Sequence, residues 1–460
     1  MKTIILAVLW GLFVFSGSAF CGEGMVTTRH LYTHNHTRKS DDINPVWLND
    51  TRRVVVFERD NKVRHTQDVV YLVQFPGLER GQYKKPFEVY ISSAREEGKM
   101  APFDTGPRDY RSYAGYFSWA PDNSQRFVFI QNHKTLVLGQ ISGSEGGRSR
   151  RVDWIKLQVN NIRTAWSVND EIVFVSEFSG NGDLYLAKAP PLSLKITEQS
   201  LENLKPEGVP DDVLKKLKSI ENQEIIGKEK FVGTLKTTIG DEQTEEFKSL
   251  ILERANKSLI LERAKDPPKL QLTSSEALDT EPNWSPDGRR LVYTSNHTGS
   301  KHIYLIEDVA QVLSSGPVET GKRLLDRETE EANPVWSPEG SKIAFYTMTE
   351  ESGESVNLWV MNSDGANPLR LDTNVKRNAK RGPSWIQQKD LGDKIVYVSL
   401  TRTGDFIYVV DVNTREKRRV ETGTEMNKNV SCAPGEYPYI AFSAHDKAGR
   451  MRIYIKELEF

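Results

Sequence analysis

One phrase recurs along this chain and constrains its fold more than any other feature. It reads PNWSPDGRRLVYTS from Pro282 and NPVWSPEGSKIAFYT from Asn333, and weaker copies follow the same pattern. The residues that align in these copies, called anchors below, are Trp47, Trp119, Trp166, Trp284, Trp336, Trp385 and Cys432. Successive anchors are 72, 47, 118, 52, 49 and 47 residues apart. This spacing indicates a structural repeat of about 48 residues with two insertions.

Each repeat reads as short strands. After the anchor come a polar turn and an alternating run, such as Leu291 to Thr294, and then a Gly-bearing loop. A second run follows, such as Ile303-Tyr304, and a short outer strand ends the repeat. Four short strands at this period are typical of a β-propeller, and the 3.6-residue periodicity of a helical solenoid is missing. The anchors therefore predict an all-β, seven-bladed β-propeller over residues 26–460. Six blades stay an alternative, because the Cys432 copy matches most weakly.

The last repeat contains three strands before Phe460, one fewer than a blade needs. The segment Arg29 to Thr33 precedes the first anchor as Leu369 to Leu371 precedes a later one. We expect this N-terminal strand to complete the last blade and close the ring, because closure hides two sheet edges.

The 118-residue spacing predicts a partly helical insertion, residues 190–268, within blade three. It would lie between the second strand of that blade and the outer strand Leu270 to Leu272. A helix is predicted to open at Pro210 and to end near Gly227. Its apolar stripe comprises Val213, Leu214, Leu217 and Ile220. Such a helix would pack on the outer edge of the blade.

Within this insertion a nine-residue unit is written twice, in KSLILERANKSLILERAK from Lys248 to Lys265. Nine residues rotate a helix by about 900°, so the two Leu-Ile-Leu triplets would point to opposite sides. A continuous helix would then need a break near Asn256 or two apolar partners. The repeat is either a tandem duplication without function or a second contact face for a partner protein.

The N-terminus predicts export. Lys2 precedes an apolar run from Ile4 to Phe15, and small residues follow up to Ala19. This pattern is typical of a cleaved signal peptide, here residues 1–21, with cleavage after Ala19 or Cys21. The protein would then be periplasmic or secreted. Bulky Phe20 disfavours lipoprotein anchoring at Cys21.

Composition narrows the function classes. Lys plus Arg is 62 and Asp plus Glu is 63, so no overall field favours nucleic acid. Outside the N-terminal apolar run, no segment of the sequence is apolar enough to predict a stable membrane span. The two cysteines support neither a disulfide framework nor a zinc set.

The sequence carries none of three common catalytic motifs. The chain has no Gly-x-Ser-x-Gly elbow, no phosphate loop and no His-Glu-x-x-His. The eight histidines are scattered, and the closest pair, His34 and His36, fits a polar loop better than a metal site. We therefore expect no catalytic residue, no metal and no cofactor, although some propellers are enzymes with a channel site.

The repeat also predicts where binding would occur. First strands of propeller blades line the channel, so equivalent residues just before each anchor should ring one mouth. Loops held on a rigid scaffold often carry binding. The polar residues five positions before an anchor are the candidate binding rim: Asp42, Asn161, Asp279, Glu331, Lys380 and Asn427. This rim would bind a peptide or a protein loop; a wet channel mouth without a ligand is the alternative.

Together, Pro-x-Trp-Ser-Pro-Asp-Gly, the Ile-Ala-Phe-type strand, the Gly loop, Ile-Tyr and the later Arg-Leu strand resemble the TolB-like, WD-related β-propeller repeat. The resemblance is strongest around Trp284 and Trp336 and weakest at Trp47 and Cys432. It implies a propeller with a binding role. TolB proteins join an N-terminal α/β domain to a propeller that binds the peptidoglycan-associated lipoprotein of the Tol–Pal system. Because the repeats here begin almost directly after the signal peptide, we expect that domain to be missing, which puts Tol–Pal membership in doubt.

These observations predict an exported, non-catalytic and monomeric interaction module of the cell envelope, whose partner is an envelope protein or peptide. The alternative is a carbohydrate- or peptide-acting lyase or hydrolase with its site in the propeller channel.

Overall fold

The structure is a computed structural model. It describes residues 27–30, 40–47, 54–61, 66–74, 87–88, 118–122, 124, 126–131, 135–142, 148–156, 163–259, 267–348, 355–379, 381–435, 437–446 and 449–460. The predicted signal peptide, Asn161 and Lys380 lie outside these residues, and the side chain of Asp42 is not described either.

The fold is dominated by short antiparallel strands grouped in units, and each anchor lies on the inner strand of one unit. The strands of the first two units, with the short strand between them, are β1 (Thr27–His30), β2 (Ser40–Trp47), β3 (Val54–Asn61), β4 (Thr66–Gln74), β5 (Phe87–Glu88), β6 (Ser118–Trp119), β7 (Arg126–Gln131), β8 (Thr135–Ser142) and β9 (Arg148–Lys156). The third unit comprises β10 (Thr164–Trp166), β11 (Glu171–Ser176), β12 (Asp183–Lys188) and a later outer strand.

That outer strand follows the helical insertion. The elements of the insertion are β13 (Leu192–Lys195), α1 (Glu198–Leu204), α2 (Asp211–Leu217), β14 (Ile225–Ile226), α3 (Lys228–Ile239), α4 (Asp241–Arg254) and β15 (Asn256–Leu259), with 3₁₀ turns at Lys205–Glu207 and Lys218–Ile220. The chain then returns as β16 (Leu270–Gln271), which pairs with β12 and completes the third unit.

The remaining units follow in sequence order. Their elements are β17 (Asp279–Trp284), β18 (Leu291–Ser295), β19 (His302–Ile306), α5 (Val309–Ser315), β20 (Lys322–Arg323), β21 (Glu331–Trp336), β22 (Lys342–Met348), β23 (Ser355–Asn362), β24 (Leu369–Lys376), β25 (Ser384–Trp385), a 3₁₀ turn (Lys389–Leu391), β26 (Lys394–Thr401), β27 (Gly404–Asp411), β28 (Lys417–Arg419), β29 (Lys428–Cys432), β30 (Tyr439–His445) and β31 (Met451–Glu457). One contact, Val375 to Ser399, joins β24 to β26 and so merges two units into a larger sheet.

The predicted role of the N-terminal strand is wrong. β1 pairs with β4 and so forms the outer strand of the first unit, not of the last. The outer strand of the last unit is β5, which pairs with β31. β1 closes a much shorter loop by joining β4 than by reaching the last unit, which lowers its entropic cost. The edge of β31 is then covered by β5, which comes from the long segment after β4.

Cross-strand aromatic pairs hold the second and third strands of the units together. Five such pairs have ring centroids 5.7–6.4 Å apart at interplanar angles of 20–29°. They are Phe174–Tyr185, Tyr293–Tyr304, Phe345–Trp359, Tyr397–Tyr408 and Phe442–Tyr454. Each pair is directly opposite in the strand register, where such contacts stabilise a sheet most.

The Ser-Pro-acid-Gly words form tight turns. Gly288 N–H donates to Ser285 O at 2.9 Å, and Arg290 N–H donates to Ser285 Oγ at 2.9 Å. The same turn recurs at Ser337 and Gly340. Both glycines have φ of +68°, a conformation that favours glycine. The phrase therefore belongs to the scaffold.

The insertion shares one hydrophobic core with the second and third units. Val213, Leu214, Leu217 and Ile220 are all buried, as the stripe predicted. They belong to one apolar cluster with residues of the second and third units, including Trp154 and Trp166. The helix ends earlier than predicted, at Leu217 followed by a 3₁₀ turn, and Gly227 instead precedes α3.

Candidate channel site

The anchors link neighbouring units through one repeated hydrogen bond. An anchor indole N–H donates to the carbonyl oxygen of the residue just before the anchor of the preceding unit. Trp284 reaches Ala165 O at 3.3 Å, Trp336 reaches Asn283 O at 3.2 Å, Trp385 reaches Val335 O at 3.1 Å, and Trp47 reaches Ser431 O at 3.1 Å. The last bond joins the first unit to the last one. All seven anchors are at most 9% exposed.

Residues of several inner strands line a cavity of about 300 Å³. Its lining residues come from the inner strands of five units and from the turn before β25. They are Val46, Trp47, Ser118, Trp119, Arg163, Thr164, Ala165, Trp166, Glu281, Pro282, Asn283, Trp284, Asn333, Pro334, Val335 and Arg381. The cavity therefore collects indole rings, polar groups and two guanidinium groups in one place.

A β-bulge brings side chains into this cavity. In β17 the pairing register shifts between Thr280 and Asn283, and in β21 it shifts between Ala332 and Val335. Within these bulges Glu281 has φ of +57° and Asn333 has φ of +54°. Bulges of this kind re-aim side chains and are often found at functional sites. Equivalent residues, three positions before the anchor, have positive φ at Asn44, Gly382 and Asn429.

Glu281 is the centre of an ion cluster at the cavity wall. Its Oε1 accepts from Lys301 Nζ at 2.9 Å and lies 3.3 Å from Arg163 Nη2 and 3.4 Å from Arg377 Nη2. Its Oε2 accepts from Asn333 N–H at 2.7 Å. Burial opposes ionisation, but the charges of Arg163 and Lys301 and this N–H outweigh it and lower the pKa of Glu281 to about 2. Glu281 is therefore ionised at neutral pH.

Arg377 and Arg381 come from a basic segment, Lys376-Arg377-Asn378-Ala379-Lys380-Arg381. Asn333 fixes this segment, because its Oδ1 accepts from Arg377 Nε at 3.1 Å and its Nδ2 donates to Ala379 O at 3.1 Å. The segment turns at Gly382, whose N–H donates to Asn378 O at 2.8 Å. A run of basic residues directly before an anchor was the sequence signal for this part of the site.

The predicted rim residues lie elsewhere. Asp279, Glu331 and Asn427 are at most 1% exposed, and none lines the cavity. They do not form an exposed rim, and binding by this set stays a prediction. The reason is the bulge, which adds a residue between each of them and its anchor and so breaks the alternation of side chains. Counting three positions back, rather than five, would have found Glu281 and Asn333.

The two buried carboxyls of that set have raised pKa values. Burial raises the pKa of Asp279 to about 6, although the Ser295 and Thr273 hydroxyls partly offset it. Burial also raises the pKa of Glu331 to about 7. The N–H of Ile303, which donates to Glu331 Oε2 at 3.0 Å, lowers this pKa but only partly offsets the effect of burial. Within the part of the chain that the structure describes, no Lys or Arg lies within salt-bridge distance of either carboxyl. The imidazole Nδ1 of His302 lies 3.4 Å from Glu331 Oε2, but burial lowers the pKa of His302 and so disfavours its charged form.

Among the described residues, no group of three or more His, Cys, Asp or Glu side chains is placed to hold a metal. Within the same residues, no helix is long and apolar enough to cross a membrane.

No family profile matches the chain. Parts of it match curated proteins, however. The Tol-Pal system protein TolB of Anaeromyxobacter dehalogenans is 30% identical over 114 residues, which are 25% of this chain and 23% of that protein. TolB of Francisella tularensis is 28% identical over 136 residues, 29% of this chain and 27% of that protein. The protein is TolB-like. The match spans about a quarter of the length of these TolB relatives.

A further relative is an uncharacterized peptidase, YuxL of Bacillus subtilis, 34% identical over 86 residues, which are 18% of this chain and 12% of that protein. Solved structures that resemble this TolB-like chain include TolB from Acinetobacter baumannii, with 13% identity, a TM-score of 0.41, and coverage of 85% of this chain and 66% of that one. Oligogalacturonate lyase in complex with manganese has 10% identity, a TM-score of 0.44, and coverage of 95% and 98%. Puromycin hydrolase has 12% identity, a TM-score of 0.44, and coverage of 92% and 54%.

Proposed function

We propose that this TolB-like protein is an exported, monomeric, non-catalytic interaction module of the cell envelope that binds a protein partner at the channel cavity. The observation that carries the proposal is the cavity itself. Residues from six units line it, and anchor hydrogen bonds join four of these units, the third to the sixth, in sequence order. A rigid, concave site with aromatic walls and a few fixed polar groups is a common form of binding site.

The proposal includes a closed ring of seven blades, one for each anchor. Two contacts between the first and last units support closure. Trp47 donates to Ser431 O at 3.1 Å, and Met451 N–H donates to Asp41 Oδ1 at 3.0 Å. A closed ring would keep the inner strands in register around the cavity.

A pull-down from envelope extract tests the proposed function. Val46 lines the cavity and is partly exposed, so Val46→Trp should fill the cavity without burying a charge. We expect the intact protein to retain a partner and Val46→Trp to lose it. Capture of the same partner by both proteins would contradict the channel as the binding site.

A second arm addresses the insertion. A protein that lacks residues 190–266 should still bind if the channel is the site. Because the insertion shares a core with two units, its thermal unfolding must first be compared with that of the intact protein. Loss of the partner only in a folded deletion protein would place binding on the insertion.

The alternative is a carbohydrate- or peptide-acting enzyme with its site in the channel. Metal analysis of the purified protein separates the two proposals, because a stoichiometric transition metal would favour a lyase. Export is tested by N-terminal sequencing of the protein from the periplasm, where we expect a start at Phe20 or Gly22.

A further inference from the structure

Two buried carboxyls from different units meet where the third unit contacts the fourth. Asp183 begins β12 and Asp279 begins β17, and each residue is 1% exposed. The N–H of Asp279 donates to Gly182 O at 2.7 Å, which places β17 beside the residue before Asp183. Burial raises the pKa of both carboxyls, and the hydroxyl of Thr273, which lies beside each of them, partly offsets this effect. The two acids therefore share one small buried space.

Most of the carboxylate oxygen atoms of this pair lack a hydrogen-bond donor. Within the described residues, Asp183 Oδ1 and both oxygens of Asp279 have no hydrogen-bond partner. The hydroxyls of Thr273 and Ser295 lie near Asp279, but neither makes a hydrogen bond of ordinary geometry with it. Buried polar atoms without partners are costly and uncommon, so these oxygens indicate a ligand.

A further buried oxygen without a partner comes from the neighbouring strand. Ser176 lies directly opposite Asp183 in the register of β11 and β12, so the two side chains are on one face of the sheet. Ser176 is fully buried, and its Oγ has no hydrogen-bond partner among the described residues. By contrast, Asp183 Oδ2 accepts from Gln271 Nε2 at 3.1 Å and from the hydroxyl of Ser179. The unpartnered oxygens thus come from two strands of the third unit and one of the fourth.

No lysine or arginine of the described residues is among the charges that act on either carboxyl. The charge of His297 favours ionisation of Asp279, but less than burial opposes it. The next interface along the chain differs, because His302, which begins β19, there faces Glu331, which begins β21, at 3.4 Å. Where that interface has an imidazole and an acid, this one has two acids.

We propose that Asp183 and Asp279 bind a calcium ion that links the third and fourth units, with the hydroxyls of Ser176 and Thr273 beside it. Calcium takes oxygen ligands from carboxylates, neutral oxygens and water, and two carboxylates balance its charge. Two acidic residues therefore suffice, although no group of three or more His, Cys, Asp or Glu is placed to hold a metal in the described residues. Neither Asp183 nor Asp279 lines the channel cavity. Sequence reasoning expected no metal, because the whole insertion separates the two residues in the chain.

The test uses the whole protein, freed of divalent ions with a chelator and then titrated with calcium chloride in a calorimeter. We expect one calcium ion per chain, with a Kd of about 0.1–1 mM as in extracellular calcium modules. Calcium at about 10 mM should raise the unfolding temperature by about 2 °C. Magnesium should bind more weakly, because it demands a stricter octahedral geometry. The absence of stoichiometric calcium binding would overturn the proposal.

Variants of the two acids locate the ion. Asp183→Asn and Asp279→Asn should each weaken calcium binding at least tenfold, because each removes one of two charged ligands. The matched control is Glu331→Gln, since Glu331 is equally buried and begins the equivalent strand of the next unit. It should bind calcium like the intact protein. Calcium binding that persists in Asp279→Asn, or that falls equally in Glu331→Gln, would contradict the site.

Stability in chelator separates loss of the site from loss of the fold. Without calcium, Asp279→Asn should be at least as stable as the intact protein near pH 8, because it removes one of two like charges. Calcium should then stabilise the intact protein but not the variant. If the two carboxyls share a proton instead, Asp279→Asn will gain the same stability with and without calcium, and the proposal fails.

The channel variant distinguishes this site from a metal in the cavity. Val46→Trp fills the cavity and should bind calcium normally. Loss of calcium in Val46→Trp, with retention in Asp279→Asn, would place the ion in the channel and overturn the proposal. Binding of sodium in place of calcium would overturn the choice of ion. The outcome is independent of the interaction function, which the pull-down tests separately.

Discussion

Asp279 and Glu281 lie two residues apart on β17, and both are at most 4% exposed, yet their pKa values move in opposite directions. Burial raises the pKa of Asp279 to about 6. The cations and the N–H that surround Glu281 overcome the same burial and lower its pKa to about 2. The difference lies in the partners: Lys301 of the same unit, together with Arg163 and the Asn333 N–H of other units, surrounds Glu281. A buried, ionised carboxyl in this repeat therefore destabilises the fold when it lacks cationic partners and stabilises it when they are present.

The largest effect is expected at Trp284, the anchor of the strand that contains both carboxyls. Trp284 ends β17, is 8% exposed and donates to Ala165 O. Trp284→Ala should lower the free energy of unfolding by about 3–5 kcal/mol, because it leaves a cavity and removes the link to the third unit. Urea denaturation measures this loss. A variant that stays fully stable but loses a ligand would mean that Trp284 serves binding rather than the scaffold.

Glu281→Gln should have the next largest effect. It leaves Arg163, Lys301 and Arg377 facing a neutral amide, so we expect a loss of about 2–4 kcal/mol at neutral pH. Because the folded pKa is lowered, this contribution is present above about pH 4.5 and fades as the pH falls towards 2. Chemical denaturation at several pH values measures it. The control Glu319→Gln, at an exposed position, should change little.

The stability contributed by Asp279 and Glu331 should depend on pH in the opposite direction to that of Glu281. Asp279 and Glu331 have raised pKa values, so their favourable contribution is complete below about pH 4 and is lost as the pH rises through about 6 and 7. Asp279→Asn and Glu331→Gln should therefore stabilise the protein by about 1–3 kcal/mol near pH 8. This gain should vanish near pH 4. A loss of stability at pH 8 in both variants would show that an unseen partner holds these carboxyls as anions.

The smallest effect tests the bulge position itself. Asn occupies it at Asn44, Asn333 and Asn429, so sequence alone would allow Asn at Gly382. A Cβ on Gly382 would lie 2.7 Å from Val335 Cγ2 and 2.8 Å from Asn333 O. Gly382→Asn should therefore cost about 1 kcal/mol through overpacking. The matched change Asn429→Gly should cost less in the same thermal unfolding assay, and the reverse order would argue against steric restriction at Gly382.

Sequence reasoning found the parts of the fold that repeat locally. The anchors, the turn at Ser285 and the alternating strands recur within a few residues, so their pattern is visible without any contact. The route of β1 and β5 was missed, because the pairing of a short strand depends on which distant edges are left open. The bulges were also missed, and with them Glu281 and Asn333, the polar residues that the bulges bring to the cavity. Positive φ at one Asn leaves only a weak signal in a sequence.

The two copies of the duplicated segment differ in structure although their sequences are the same. The first copy of KSLILERA, from Lys248, is helical up to Arg254, with Ile251 fully buried. The second copy, from Lys257, begins within β15, which pairs with β13. The helix ends at Arg254, and Ala255 is its extended C-cap. A continuous helix would have placed the apolar residues of the second copy on the side opposite to those of the first. The sequence Lys-Ser-Leu is therefore helical at residues 248–250 and extended at residues 257–259, because the tertiary partners differ along the chain.

The sequence by itself determined that this protein is built from anchored four-stranded repeats with a helical insertion, because hydrophobic periodicity and turn residues act over short distances. The tertiary structure decided which residues meet at the cavity. Glu281 and Lys301 belong to one unit, whereas Arg163 and Arg377 reach them from others, so a carboxyl acquires its charge and its role only when distant backbone and cationic groups surround it.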